Sequence, residues 1–104
     1  MTTNNNDETM QVTTSPWGPV QHTERVADGI VFVSTASHGG FVLSPKRLME
    51  MRARFKRNPY GRSRYFEEDC RAALVVIAFP ELFRADQVDR AQACARVHYP
   101  QLAD

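Results

Sequence analysis

The chain has only two cysteines, Cys70 and Cys94, with no Cys-x-x-Cys pair. A disulfide scaffold is therefore excluded, and both residues are expected to be reduced thiols on apolar helical faces. Glycine is scarce at five residues, and none falls in a Gly-x-Gly-x-x-Gly or Walker run. The backbone cradle that nucleotide phosphates require is missing, so no cofactor is expected. No Gly-x-Ser-x-Gly elbow is present either. The longest apolar run, AALVVIAF at 72–79, has eight residues, against about 20 for a membrane-spanning helix. The opening MTTNNNDETM has neither a basic start nor an apolar stretch, so no secretory signal is expected. Together these absences point to a cytoplasmic protein with no membrane association.

What is present suits one small domain. The 104 residues are 42% hydrophobic and 24% charged, enough for a modest core without staples. Residues 1–14 are polar with isolated Met10 and Val12, and are expected to form a flexible tail. Residues 15–104 are expected to be a single α+β domain, opening at SPWGPV.

Pattern and punctuation then set the elements. Residues 20–26 read as a strand ending at Asp28-Gly29, a strong hairpin signal. IVFVSTA at 30–36 is rich in β-branched and aromatic residues and apolar on both faces at its start, which predicts a central strand. Ser37-His38-Gly39-Gly40 reads as a turn, its glycines at positive φ, before a short strand FVL at 41–43. Ser44-Pro45 opens a helix with Leu48, Met51 and Phe55 on its apolar face. KRNPYGRSR breaks that helix as an exposed basic loop. A second helix is expected over 64–79, carrying Phe66, Cys70, Ala73, Leu74 and Ile77 on one stripe and ending before Pro80. A third is expected over 86–97, with Val88, Ala91, Cys94 or Ala95, and His98 turned inward. The fold class is α+β: a three-stranded antiparallel β-meander followed by three α-helices packed on one sheet face.

Charge is unevenly distributed. Lys46, Arg47, Arg52, Arg54, Lys56, Arg57, Arg62 and Arg64 stand against Glu50 alone, a local excess of seven positive charges in a chain of net charge +1. Phe55, Tyr60 and Tyr65 lie among these cations, a mixture that suits phosphates and stacked bases. A solvated face balanced by acidic flanks explains the same block, because the whole domain is not basic.

Other groups carry weaker signals. His38 beside glycine amides resembles part of an oxyanion site, but a turn accounts for the stretch without chemistry. Glu67-Glu68-Asp69 cannot converge on one ion from consecutive helical positions. These acids are expected to favour the helix start and to pair with Arg62, Arg64 or Arg71. His22, His38, His98, Cys70 and Cys94 fall in no recognised zinc spacing, so no metal site is expected.

The segments SPWG, GIVFVSTASHGGFVLSP, YFEEDCRAALVVIAFPELF and ARVHYP resemble a bacterial and phage family described as a domain of unknown function, numbered seven thousand and seven. The likeness runs from Trp17 to Pro100 and implies no activity. It does imply a setting on phages, plasmids and integrative elements, near counter-defence and transfer genes.

The leading expectation is a small non-enzymatic interaction protein of anti-CRISPR type. Its partner would be a host protein or ribonucleoprotein complex such as a CRISPR effector, blocked sterically. The contact residues expected are Arg52, Arg54, Lys56, Arg57, Tyr60, Arg62 and Arg64, with His38. The alternative is direct nucleic-acid binding through the basic block at 46–64. The third reading is a small hydrolase or transferase using His38 with Ser37 and Glu68.

Overall fold

Two turns organise the first half of the chain, and each is held by side chains as well as by backbone. The computed structural model describes residues 11–55 and 63–100. Strands β1 (Thr14–Ser15) and β2 (Gly18–Pro19) form a small antiparallel ribbon around Trp17. The Ser15 hydroxyl donates to the Gly18 carbonyl at 2.8 Å and accepts from the Trp17 amide at 3.2 Å. Val12, within the stretch expected as a tail, packs with Trp17 and Val20 against the sheet.

The main sheet begins with β3 (His22–Ala27) and β4 (Ile30–Ser34), joined through Asp28-Gly29 with Gly29 at φ +78°. The ladder shifts register between Arg25 and Ala27, the extra residue that such turns often demand. Residues 35–38 then reverse the chain into β5 (Gly39–Leu43). The Thr35 hydroxyl donates to the His38 carbonyl at 2.9 Å and accepts from the His38 amide at 3.1 Å. Gly39 and Gly40 are therefore strand residues, not turn residues, and neither has positive φ. The local bonds of the turn run between the Thr35 hydroxyl and the His38 backbone.

Helix α1 (Pro45–Arg54) starts as its sequence requires: the Ser44 hydroxyl accepts from the Arg47 amide at 3.1 Å, and proline takes the first turn. The chain returns as β6 (Tyr65–Glu67), antiparallel to β5, with Phe66 opposite Phe41. This corrects the three-stranded meander: the sheet has four strands in the order β3-β4-β5-β6, beside the separate β1-β2 ribbon. It also shortens the second helix. Helix α2 spans Cys70–Ala78 rather than 64–79, because residues 65–67 satisfy the open edge of β5. Phe66 is fully buried as expected, but from a strand. A short 3-10 turn (Pro80–Leu82) follows, and α3 (Ala85–His98) closes the described fold.

The two faces of the sheet have different covers. Ile30, Phe41, Leu43 and Phe66 share a core with Met51 of α1, Leu74 and Val75 of α2, and Ala91 of α3. Phe32, Phe41 and Phe83 extend it edge to face, at centroid distances of 5.2 and 5.7 Å. On the opposite face Val31, Val33 and Val42 are covered by Val12, Trp17, Val20 and Tyr65. Both faces of β4 are thus buried, as its composition predicts. The architecture is α+β. No helix among the described residues is long and apolar enough to cross a membrane.

Candidate functional site

Among the described residues, three cations of the basic block, Arg47, Arg54 and Arg64, bond to backbone carbonyls. Arg47, on the first turn of α1, donates from Nε to the Asp28 carbonyl at 2.8 Å and meets Glu50 at 3.1 Å. It thereby ties the β3–β4 turn to α1. Its guanidinium also lies 5.1 Å from the centre of the buried Phe79 ring. Arg54, at the end of α1, lies 4.7 Å from the same centre, donates to the Ala78 carbonyl and pairs with Glu81 at 3.6 Å. Arg64 donates from Nε to the Leu43 carbonyl at 2.8 Å and stacks over Tyr65 at 5.9 Å.

Among the described residues, three of the five cations in the block thus bind backbone carbonyls at or beside element ends, where charge-assisted bonds are strong. Arg52 is exposed on α1. Lys56, Arg57, Tyr60 and Arg62 lie outside the described residues, as does most of the expected basic loop. A cleft of about 320 Å³ is lined by residues 11–14, Val42, Arg64 and Tyr65. It offers one guanidinium and one phenol, too few groups for an acid–base set.

His38 lies at the far end of the sheet, on the turn from β4 to β5. Its Nδ1 stands 3.0 Å from the Glu67 carboxylate at the end of β6. The pairing follows from register: Gly40 faces Glu67, and the Glu68 amide donates to the Gly39 carbonyl at 2.9 Å. The expected partners of the acidic run are therefore corrected. Glu67 meets His38 rather than an arginine, and α2 has no acid in its first turn. Arg71 instead lies over the Phe66 ring at 5.8 Å. Both members of the pair are partly exposed, His38 by 53% and Glu67 by 38%. An imidazole oriented by a carboxylate is two-thirds of a nucleophilic triad. The third member is not brought in: among the described residues no hydrogen bond joins Ser37 to His38, and Glu68 is not its carboxylate.

A third cluster was not anticipated. Cys70 is the first residue of α2, while Cys94 and His98 are one turn apart on α3. Their ligand-type atoms, two sulfurs and one imidazole nitrogen, all lie within 4.8 Å of one another. Burial pushes the Cys94 thiol above its ordinary pKa, and its hydrogen bond with Cys70 adds to the rise. Burial likewise raises the Tyr99 phenol beside them. Asp69, the residue before Cys70, has φ +119°, the one positive φ outside glycine among the described residues. His98, expected on the inward side of α3, is exposed, whereas Ala91 and Ala95 are buried. The spacing Cys94-x-x-x-His98 could have flagged this pair, since residues four apart share a helical face. Cys70 lies 24 residues earlier in the chain, and only the packing of α2 on α3 brings it there.

A family model matches residues 10–103, nearly the whole chain. The chain belongs to that family, described as a domain of unknown function, DUF7007. The match covers every described element, from the β1-β2 ribbon through the His38 turn to α3. No curated protein and no solved structure matches the chain. The family description assigns no chemistry to these residues.

Proposed function

We propose that this chain is a small non-enzymatic interaction protein that acts by occupying a surface its partner needs. The carrying observation is the His38 tip. Thr35 holds its backbone through two hydrogen bonds, Glu67 holds its imidazole at 3.0 Å, and the side chain still faces water. A polar group ordered before binding loses little entropy on docking, which favours recognition. The sheet beneath it is packed on both faces, with Phe66 and Val33 fully buried on the neighbouring strands. The commitment of Arg47, Arg54 and Arg64 to backbone carbonyls weighs against a phosphate-binding role for those three cations.

The finer reading is an anti-CRISPR type of inhibitor working in the cytoplasm. It rests on the mobile-element setting that the family resemblance implies. The contact set then comprises His38, Glu67 and Arg52, with Lys56, Arg57, Tyr60 and Arg62 of the basic block.

The test adds purified chain to a reconstituted CRISPR effector from a bacterial host and follows target cleavage and complex formation. Inhibition by the native chain is expected, with His38→Ala at least about tenfold weaker at unchanged melting temperature, as for a contact worth about 1.4 kcal/mol. Absence of both inhibition and complex would sink the finer reading, and equal potency of His38→Ala would remove the tip from the contact. Binding to bare DNA or RNA that weakens steeply with salt would favour the nucleic-acid reading instead.

A further inference from the structure

We propose that Cys70, Cys94 and His98 form a metal site that binds one Zn²⁺ and clips the start of α2 to the end of α3. The three donors come from two helices and already lie within 4.8 Å of one another. Zinc binds thiolate sulfur at about 2.3 Å and imidazole nitrogen at about 2.0–2.1 Å. Two sulfurs held tetrahedrally at such bond lengths stand roughly 3.8 Å apart. Small side-chain rotations therefore convert the present cluster into a ligand set.

The donor chemistry selects the ion. Two thiolates and one imidazole suit a borderline-soft cation, and exclude calcium and magnesium, which take oxygen ligands. Three protein ligands leave one tetrahedral position open, which a water fills in known Cys₂His centres. His98 is exposed while the two cysteines are half-buried, so the ion has a route in from solvent. On binding, each thiol releases its proton to solvent and the imidazole coordinates in its neutral form. The balance is one Zn²⁺ bound for two protons released.

The local backbone supports the same reading. Asp69 holds a positive φ, unfavourable for a residue with a side chain, directly before Cys70. Its side chain makes no capping bond to α2, so capping does not explain the conformation. That conformation ends β6 and starts α2 with its first residue, Cys70, beside Cys94 of α3. A disulfide between the cysteines is the competing use of these thiols, but it would require bond formation at about 2.05 Å and leave His98 without a role. This proposal does not depend on the interaction function argued above.

The experiment titrates the purified full chain with Co²⁺, then Zn²⁺, under a phosphine reductant. One Co²⁺ per chain is expected, with thiolate charge-transfer absorption in the near ultraviolet and intense tetrahedral bands in the visible. Zn²⁺ should abolish the spectrum and raise the melting temperature. His98→Ala changes an exposed residue and should fold. It should weaken binding at least about tenfold, the lower end of what even outer-shell partners of a metal contribute. Cys70→Ser and Cys94→Ser should each weaken the charge-transfer band, and the double variant should lack it. Absence of the band in the native chain, undiminished affinity in His98→Ala, or a Cys70–Cys94 disulfide persisting under reductant would each overturn the proposal.

Discussion

The Arg54 guanidinium stands 4.7 Å from the centre of the Phe79 ring while donating to the Ala78 carbonyl. One side chain thus joins the last turn of α1 to the last turn of α2. Phe79 is fully buried, while the Arg54 side chain keeps 44% of its surface in solvent, so the cation lies over the ring from the water side. Arg54→Ala is expected to destabilise the fold by about 1–2 kcal/mol, from the lost cation–π contact and the orphaned carbonyl. Arg52→Ala, at an exposed position of the same helix, should shift stability by less than about 0.5 kcal/mol. Urea midpoints of the two variants check the contrast. Equal effects would refute the distinction between Arg54 as a clamp and Arg52 as an exposed cation.

Gly40 is required by close approach rather than by a turn. A Cβ built there would lie 2.5 Å from both the Phe66 carbonyl oxygen and the Trp17 ring, and 2.8 Å from the Glu67 Cα. Two of these neighbours are backbone atoms of the paired strand and have little freedom to yield. Gly40→Ala should cost about 1–3 kcal/mol, the range for overpacking a tight site. The sole tryptophan should report the displacement as a changed emission maximum. An unchanged melting temperature and spectrum would show that Trp17 does not seat against β5.

Ser44 is almost wholly buried and caps α1 with its hydroxyl, while its amide donates to the Gly29 carbonyl at 2.8 Å. Ser44→Ala keeps the amide bond and loses the cap. A loss of about 1 kcal/mol is expected, with helical ellipticity falling in proportion to α1. Ser44→Asp should recover part of the helix, although burial of its charge limits the gain.

Asp86 gives a pH dependence of known sign. Its hydrogen bond with Arg84 holds its carboxyl below the ordinary carboxylate range. The stabilisation is therefore present above the unfolded value of about 3.9 and lost as pH falls through the folded one. The stability difference between the native chain and Asp86→Asn should shrink as the pH is lowered from neutrality through that window. Denaturation midpoints at a series of pH values test it; a difference independent of pH would show that the Arg84 pairing contributes nothing.

Much of the local structure was legible because its causes are local. Asp28-Gly29 makes the hairpin, Ser44-Pro45 starts α1, and Pro80 terminates the α2 segment within the few residues that decide them. Residues 72–78 are helical as expected, although the helix begins only at Cys70, after β6 and the positive φ of Asp69. The β6 strand was not legible. Glu67-Glu68-Asp69 favours a helix start locally, but Phe66 is fully buried and β5 needed a hydrogen-bonding neighbour. Those gains exceed the weak preference of three residues.

The sequence by itself determined the order of turns and helices, the burial of both faces of β4 and the excess of charge in the middle of the chain. Their causes are periodicity, caps and composition, which act over a few neighbouring residues. Only the tertiary structure decided where the cations went. Arg47, Arg54 and Arg64 were indistinguishable in sequence from solvent-facing neighbours until packing set carbonyls and a buried ring beside them. It likewise decided that His38 meets Glu67 and that Cys70 meets Cys94 and His98. These are contacts between distant segments, and their partners are chosen by strand register and helix packing, which no short window of sequence contains.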